Sequence, residues 1–97
     1  MMERIRVLLA DDHAVLREGM RNLLAKEEDL VVVGEASDGE EAVRLAAELL
    51  PDVAVMDIVM PKLTGIEATR QIKQVCPSTA VLILTAYEDD RYILGLL

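Results

Sequence analysis

The chain has 97 residues, 53% of them hydrophobic and 29% charged, which suits one globular domain, or part of one, rather than a disordered chain. Eighteen acidic residues against ten basic ones leave a formal charge of −8. That balance makes the chain a poor partner for DNA, RNA or an anionic membrane, because phosphate binding needs Lys and Arg.

The core must be built from Leu, Val, Ile, Ala and Met, since there is no Trp or Phe and only two Tyr. The single cysteine, Cys76, cannot form an internal disulfide, and this fits the reducing cytoplasm. No apolar stretch is long enough to span a bilayer. Asp11 and Asp12 cut off the short apolar run at the N-terminus, so that run does not read as a signal peptide.

Ile5 to Ala10 is apolar and rich in β-formers, and it predicts a first strand that stops at Asp11-Asp12. From Ala14 to Lys26, the residues Val15, Leu16, Met20, Leu23 and Leu24 recur at helical spacing and predict a first helix. Leu30 to Ala36 predicts a second strand. Asp38 followed by Glu41 has the spacing of a capping box and opens a second helix, with Val43, Ala46, Ala47 and Leu50 expected inward and Pro51 ending it.

Val53 to Met56 predicts a third strand, ending at Asp57. A loop through Met60-Pro61 follows. Thr64 and Glu67 form a second capping-box candidate, with Gly65 giving the backbone room, and a third helix runs from about Ile66 to Val75. Val81 to Leu84 predicts a fourth strand ending at Thr85. Glu88-Asp89-Asp90 reads as the dipole-favoured N-terminus of a fourth helix, and Tyr87 and Tyr92 pack against it or face a partner.

Strands alternating with helices imply a parallel sheet with right-handed crossovers. Strands apolar on both faces imply helices on both sides, hence a doubly wound α/β fold. Such folds bind ligands beyond the carboxyl ends of their strands, at the point where the strand order reverses. Asp11, Asp12, Asp57 and Thr85 all fall at that edge. If the first and third strands are neighbours, three carboxylates converge in one shallow pocket. Convergent carboxylates repel one another, and a hard divalent cation relieves this; few protein ligands and open positions favour Mg²⁺. A carboxylate beside Mg²⁺ can attack a phosphoryl group, and Thr85 can hydrogen-bond the group once attached. Each residue alone has an ordinary alternative: helix cap, turn residue or strand former.

The chain resembles the receiver domain of bacterial two-component response regulators. The matching pieces are Val7 through His13, Asp52 through Pro61 with Gly65, and Val81 through Ala86, in order and at family-like spacing over the whole chain. Asp11-Asp12-His13 to Arg17-Glu18-Gly19, with Val33 to Ala36, is similar to the LuxR (NarL/FixJ) subfamily, whose output is a helix-turn-helix transcription factor. The resemblance implies a flavodoxin-like receiver fold with strand order 2-1-3-4, residues 1–97 forming one receiver domain. It implies Asp57 as phosphoacceptor from a histidine kinase or a small phosphodonor. It implies Mg²⁺ bound directly by Asp12 and Asp57, through water by Asp11, and by the backbone carbonyl of Val59. Thr85 would be the switch hydroxyl. Catalysis would extend at most to the domain's own phosphorylation and dephosphorylation.

The family's phosphoryl-pairing lysine and aromatic switch residue sit on a fifth strand, beyond Leu97. The resemblance therefore implies a chain that stops short of that strand and of the last helix, with the fourth strand left as a sheet edge that self-associates. Lys62 does not occupy the family's lysine position. The apolar Val59 side chain cannot orient an attacking water, which implies slow self-dephosphorylation.

Two other function classes compete. One is a scaffold that keeps the fold but not the switch. The other is a Mg²⁺-dependent Asp-nucleophile phosphatase, which needs an acid near the nucleophile; in one common arrangement that acid lies at the position held here by Val59. A flavin site is weaker still, since the loop after the first strand offers Asp11 and Asp12 where phosphate donors are needed. His13 reads as an exposed residue of the first helical turn, because hard cations prefer oxygen. Cys76 reads as a small apolar or exposed helix-end residue with no partner base.

Overall fold

The computed structural model describes residues 3–84. Thr85, Tyr87, Tyr92, the Glu88-Asp89-Asp90 run and the expected fourth helix lie outside the described residues. Four strands and three helices alternate: β1 (Ile5–Ala10), α1 (Ala14–Ala25), β2 (Leu30–Ala36), α2 (Gly39–Leu49), β3 (Val53–Asp57), α3 (Gly65–Val75) and β4 (Ala80–Leu84). The strands form one sheet in the order β2-β1-β3-β4, and every pairing is parallel. This is the doubly wound architecture expected, with its reversal of strand order between β1 and β3.

Both capping-box helices start where the spacing places them. Asp38 accepts from the Glu41 N–H at 2.8 Å, and Thr64 accepts from the Glu67 N–H at 3.1 Å. Glu41 reaches back one residue further than the standard box, taking the Ser37 N–H at 2.8 Å.

The main core lies between one sheet face and helices α2 and α3. It joins Leu8, Ala10, Ala54 and Met56 from the strands to Ala42, Ala46, Ala68 and Ile72 from the helices. The alanines let the helices seat closely on the sheet. Gly34 serves the same packing: a Cβ there would come within 2.6 Å of a Leu49 methyl. The buried residues of α2 are Gly39, Ala42 and Ala46, with Val43 and Leu45 packed at the margin. The inward placement expected of Ala47 and Leu50 is therefore wrong. Ala47 is exposed, and Leu50 is the C-cap in left-handed conformation (φ 49°), which turns its side chain to solvent.

Helix α1 lies on the opposite face, where Met20 and Arg17 approach Leu9 and Val55. No α1 residue is fully buried, and Val15, Leu16 and Leu23 are exposed despite their helical spacing. Amphipathic spacing marks a face that can be covered; how much of it the fold covers is a tertiary matter. Cys76 is buried, its thiol directed at the Ala46 carbonyl oxygen (Sγ···O 2.9 Å) across the α2–α3 contact, so of its two expected settings the apolar one holds.

Candidate metal and phosphoacceptor site

The parallel register builds the site. Ala10 pairs with Met56, so the next residues, Asp11 and Asp57, leave adjacent strand ends side by side. One carboxylate oxygen from each of Asp11, Asp12 and Asp57, together with a ring nitrogen of His13, all lie within 4.8 Å of one another. The three carboxylates foreseen in the sequence do converge.

Local contacts hold each piece. The Asp11 carboxylate accepts from the His13 N–H at 2.8 Å, closing the turn that leads into α1 with His13 as its N-cap. The Arg17 guanidinium donates to the Asp11 backbone carbonyl and, through Nε, to Glu35 on β2 at 3.1 Å; Arg21 donates to the other Glu35 oxygen at 2.9 Å. These arginines tie the β1–α1 loop to the sheet edge. Sequence reading gave Arg17 and Glu35 no role beyond subfamily pattern, because their pairing spans two elements.

Beyond β3, Ile58 and Met60 are buried and Val59 between them is half-exposed. The alternation fixes the loop while leaving Val59 in the open. Gly65 permits the close start of α3: a Cβ there would collide with the Asp57 carbonyl oxygen and lie 2.9 Å from the Ile58 Cα. Its N–H donates to the Ile58 carbonyl at 2.8 Å.

The electrostatics follow from crowding. Burial raises the Asp57 pKa above the ordinary carboxylate value, the Asp11 charge raises it further, and the Val59 and Ile58 N–H groups act in the opposite sense. The His13 ring is exposed as expected, and its Nδ1 lies 3.0 Å from Asp11, 3.2 Å from Asp12 and 4.0 Å from Asp57. Its hydrogen bond to Asp11, followed by the Asp12 charge, raises its pKa. Lys62 turns away to Asp38, at 3.6 Å, and so does not serve Asp57.

The donor set fits Mg²⁺: three like charges meet at one edge, on carboxylate oxygens that are only partly enclosed. Asp11, Asp12 and Asp57 each offer one carboxylate oxygen to such an ion, and Val59 lies in the loop that follows Asp57.

The response regulator receiver domain model matches residues 7–97. The chain belongs to the response regulator receiver family. Among its relatives, the transcriptional regulatory protein LiaR of Bacillus subtilis is 51% identical over 86 residues, which are 89% of this chain and 41% of LiaR. Response regulator protein VraR of Staphylococcus aureus is 43% identical over 89 residues, 92% of this chain and 43% of that protein. The chain thus spans about two fifths of the curated relatives it matches. Among solved structures, the response regulator domain of Thermotoga maritima CheB superposes with a TM-score of 0.88 at 40% identity, over 97% of this chain and 72% of that one. A LuxR-family response regulator from Aurantimonas sp. SI85-9A1 gives 0.87 at 41% identity, over 95% and 66%. The receiver is thus a two-component signalling domain of LuxR-type relationship. No helix among its described residues is long and apolar enough to cross a membrane.

Proposed function

We propose that residues 1–97 form one phosphoacceptor domain of a cytoplasmic regulator of transcription, with Asp57 receiving the phosphoryl group. The observation that carries this is the β1–β3 register, which brings Asp11 and Asp12 against Asp57 at the switch point of the sheet. An Asp57 carboxylate oxygen attacks the phosphorus of a kinase phosphohistidine or a small phosphodonor. The new O–P bond forms as the N–P or O–P bond to the donor breaks, and the donor leaves with the electron pair. Asp12 and Asp57 would hold Mg²⁺ directly, with the Val59 carbonyl as a further ligand and Asp11 acting through water. The bound ion supplies charge neutralisation on the phosphoryl oxygens. The buried Ile58 and Met60 keep the Asp57 loop from drifting. Thr85, one residue beyond β4, is the switch hydroxyl in this reading. DNA binding belongs to an output domain of the parent protein, since this domain is acidic.

Intact mass after incubation with acetyl phosphate tests the reading. A single phosphoryl adduct that needs both Mg²⁺ and Asp57, absent in Asp57→Ala, supports it. A folded protein that takes no adduct refutes it.

A second reading, a self-associating scaffold, draws on β4. It is the outermost strand of the described sheet, and its Leu82 and Leu84 are exposed. Sedimentation showing a stable monomer at high concentration refutes association through this edge.

A further inference from the structure

We infer that Arg17 is a positioning residue of the phosphoacceptor site: it clamps the peptide unit that joins Asp11 to Asp12, and so holds the Asp12 carboxylate against Asp57. This rests on the reading of Asp12 and Asp57 as the cation and phosphoryl site. Arg17 itself stands outside the carboxylate cluster, its ion pair being with Glu35 on β2.

The β1 ladder ends with the pairs of Ala10, and α1 begins only at Ala14. Across that gap the Asp11 N–H still donates to the Ala36 carbonyl at 3.0 Å. The Asp11 carbonyl lies past the last ladder pair, and the Arg17 guanidinium donates to it. A peptide unit is planar, so fixing that oxygen also fixes the nitrogen of Asp12 and the direction of its Cα. On the other side of the pocket the sheet itself holds Asp57, which pairs with Leu84. The spacing of the two carboxylates thus depends on a loop, and the loop on Arg17.

Arg17 is well placed for this. It stands in the first turn of α1, its own N–H donating to the His13 carbonyl at 2.9 Å. Helical side chains lean toward the N-terminus, which carries the guanidinium back to Asp11. Its Nε is braced by Glu35 at 3.1 Å, and Glu35 pairs with Leu9 of β1. A rigid planar fork can serve a carbonyl and a carboxylate at once. The Arg17 and Glu35 side chains are 19% and 27% exposed, against 45% for Arg21, which donates to Glu35 alone. The shielded pair is therefore the brace, since exposed ion pairs contribute little.

Charge and position predict opposite signs. Arg17 lines one small cavity with Asp11 and Asp57. Its loss as a mere cation would tighten a dication in the pocket. Its loss as a clamp frees Asp12 and weakens the dication, as removal of contacts that orient metal ligands does.

Calorimetry of Mg²⁺ binding and NMR amide exchange of the metal-free protein test the clamp. Arg17→Ala is expected to bind Mg²⁺ about tenfold more weakly than wild type. Its Asp11 and His13 amides are expected to exchange about tenfold faster, with the β3 amides unchanged. Glu35→Gln keeps the Arg17 charge and is expected to shift both readouts the same way by about threefold. Arg21→Ala removes an equal charge without touching the Asp11 carbonyl, and Ile72→Val trims the core on the other face of the sheet. Both are expected to hold Mg²⁺ within about twofold of wild type.

An Arg17→Ala protein that binds Mg²⁺ as tightly as wild type or more tightly, or whose Asp11 and His13 amides exchange at wild-type rates, overturns the inference and leaves the cation site standing. A loss of affinity matched by Arg21→Ala or Ile72→Val overturns it as well, as an effect of charge or of general loosening. Wild type that binds no Mg²⁺ and takes no phosphoryl adduct overturns the proposed function, and the positioning role with it.

Discussion

Replacing Asp57 by Asn removes one charge from a crowded cluster and leaves its shape intact. The Asp11, Asp12 and Asp57 oxygens lie within 4.8 Å of one another, and the Asp57 side chain is only 15% exposed. At that separation a pair of like charges costs about 1 kcal/mol in a water-like medium and roughly 3 kcal/mol at the dielectric of a protein surface. Solvent screening pulls the figure toward the lower bound. Asp57→Asn is therefore expected to be more stable than wild type by about 1 kcal/mol in low salt with chelator, equivalent to several degrees in melting temperature for a domain this size.

The sign depends on pH. The Asp57 pKa is raised on folding, so the folded state binds the extra proton and stability falls as pH rises through that raised value. The His13 pKa is also raised, so its favourable contribution is complete below its unfolded value and is lost as pH rises through the folded one. The advantage of Asp57→Asn should accordingly be larger at pH about 9, where the imidazole is neutral, than near pH 6, and it should shrink with salt. Mg²⁺ reverses the comparison. It stabilises wild type by mass action and the variant less, because a ligand has been lost. Thermal melts with chelator, with Mg²⁺ and across this pH range measure each arm. An Asn variant no more stable than wild type in chelator at high pH, or equal stabilisation of both by Mg²⁺, would show that the carboxylates do not act as one repelling, ion-binding set.

Three other substitutions probe the frame around the site. Ile72→Ala removes a fully buried side chain from the α3–sheet core and should cost about 2–5 kcal/mol in urea melts, without lowering Mg²⁺ affinity under native conditions. Gly65→Ala forces a methyl against the Asp57 carbonyl and Ile58; it should cost about 1–3 kcal/mol and, unlike Ile72→Ala, weaken Mg²⁺ binding, which calorimetry would separate. Val59→Asn places an amide at the half-exposed position beside Asp57 and should speed loss of the phosphoryl group, followed by mass over time; an unchanged rate would remove Val59 from any account of phosphoryl lifetime.

The elements were legible because local rules state them. Short β-rich runs ending in Asp, and the Asp38/Glu41 and Thr64/Glu67 caps, depend on neighbours a few residues away. The convergence of Asp11, Asp12 and Asp57 was legible too, since a doubly wound sheet gathers the ends of its strands at one edge. Other features depend on which elements meet. The shared spacing of Ala42, Ala46 and Ala47 could not say which alanine faces α3, and the left-handed turn at Leu50 decided that Leu50 does not. Lys62 looked close to Asp57 in sequence, yet the turn there carries it to Asp38. His13 is exposed as its place before the first helix suggests, and the turn closed by Asp11 sets its ring nitrogen beside Asp11 and Asp12. Sequence by itself determined which chemical groups stand at the ends of the strands. Only the tertiary structure decided which side chains share the pocket with them, because that follows from sheet register and helix seating, which couple residues far apart in the chain.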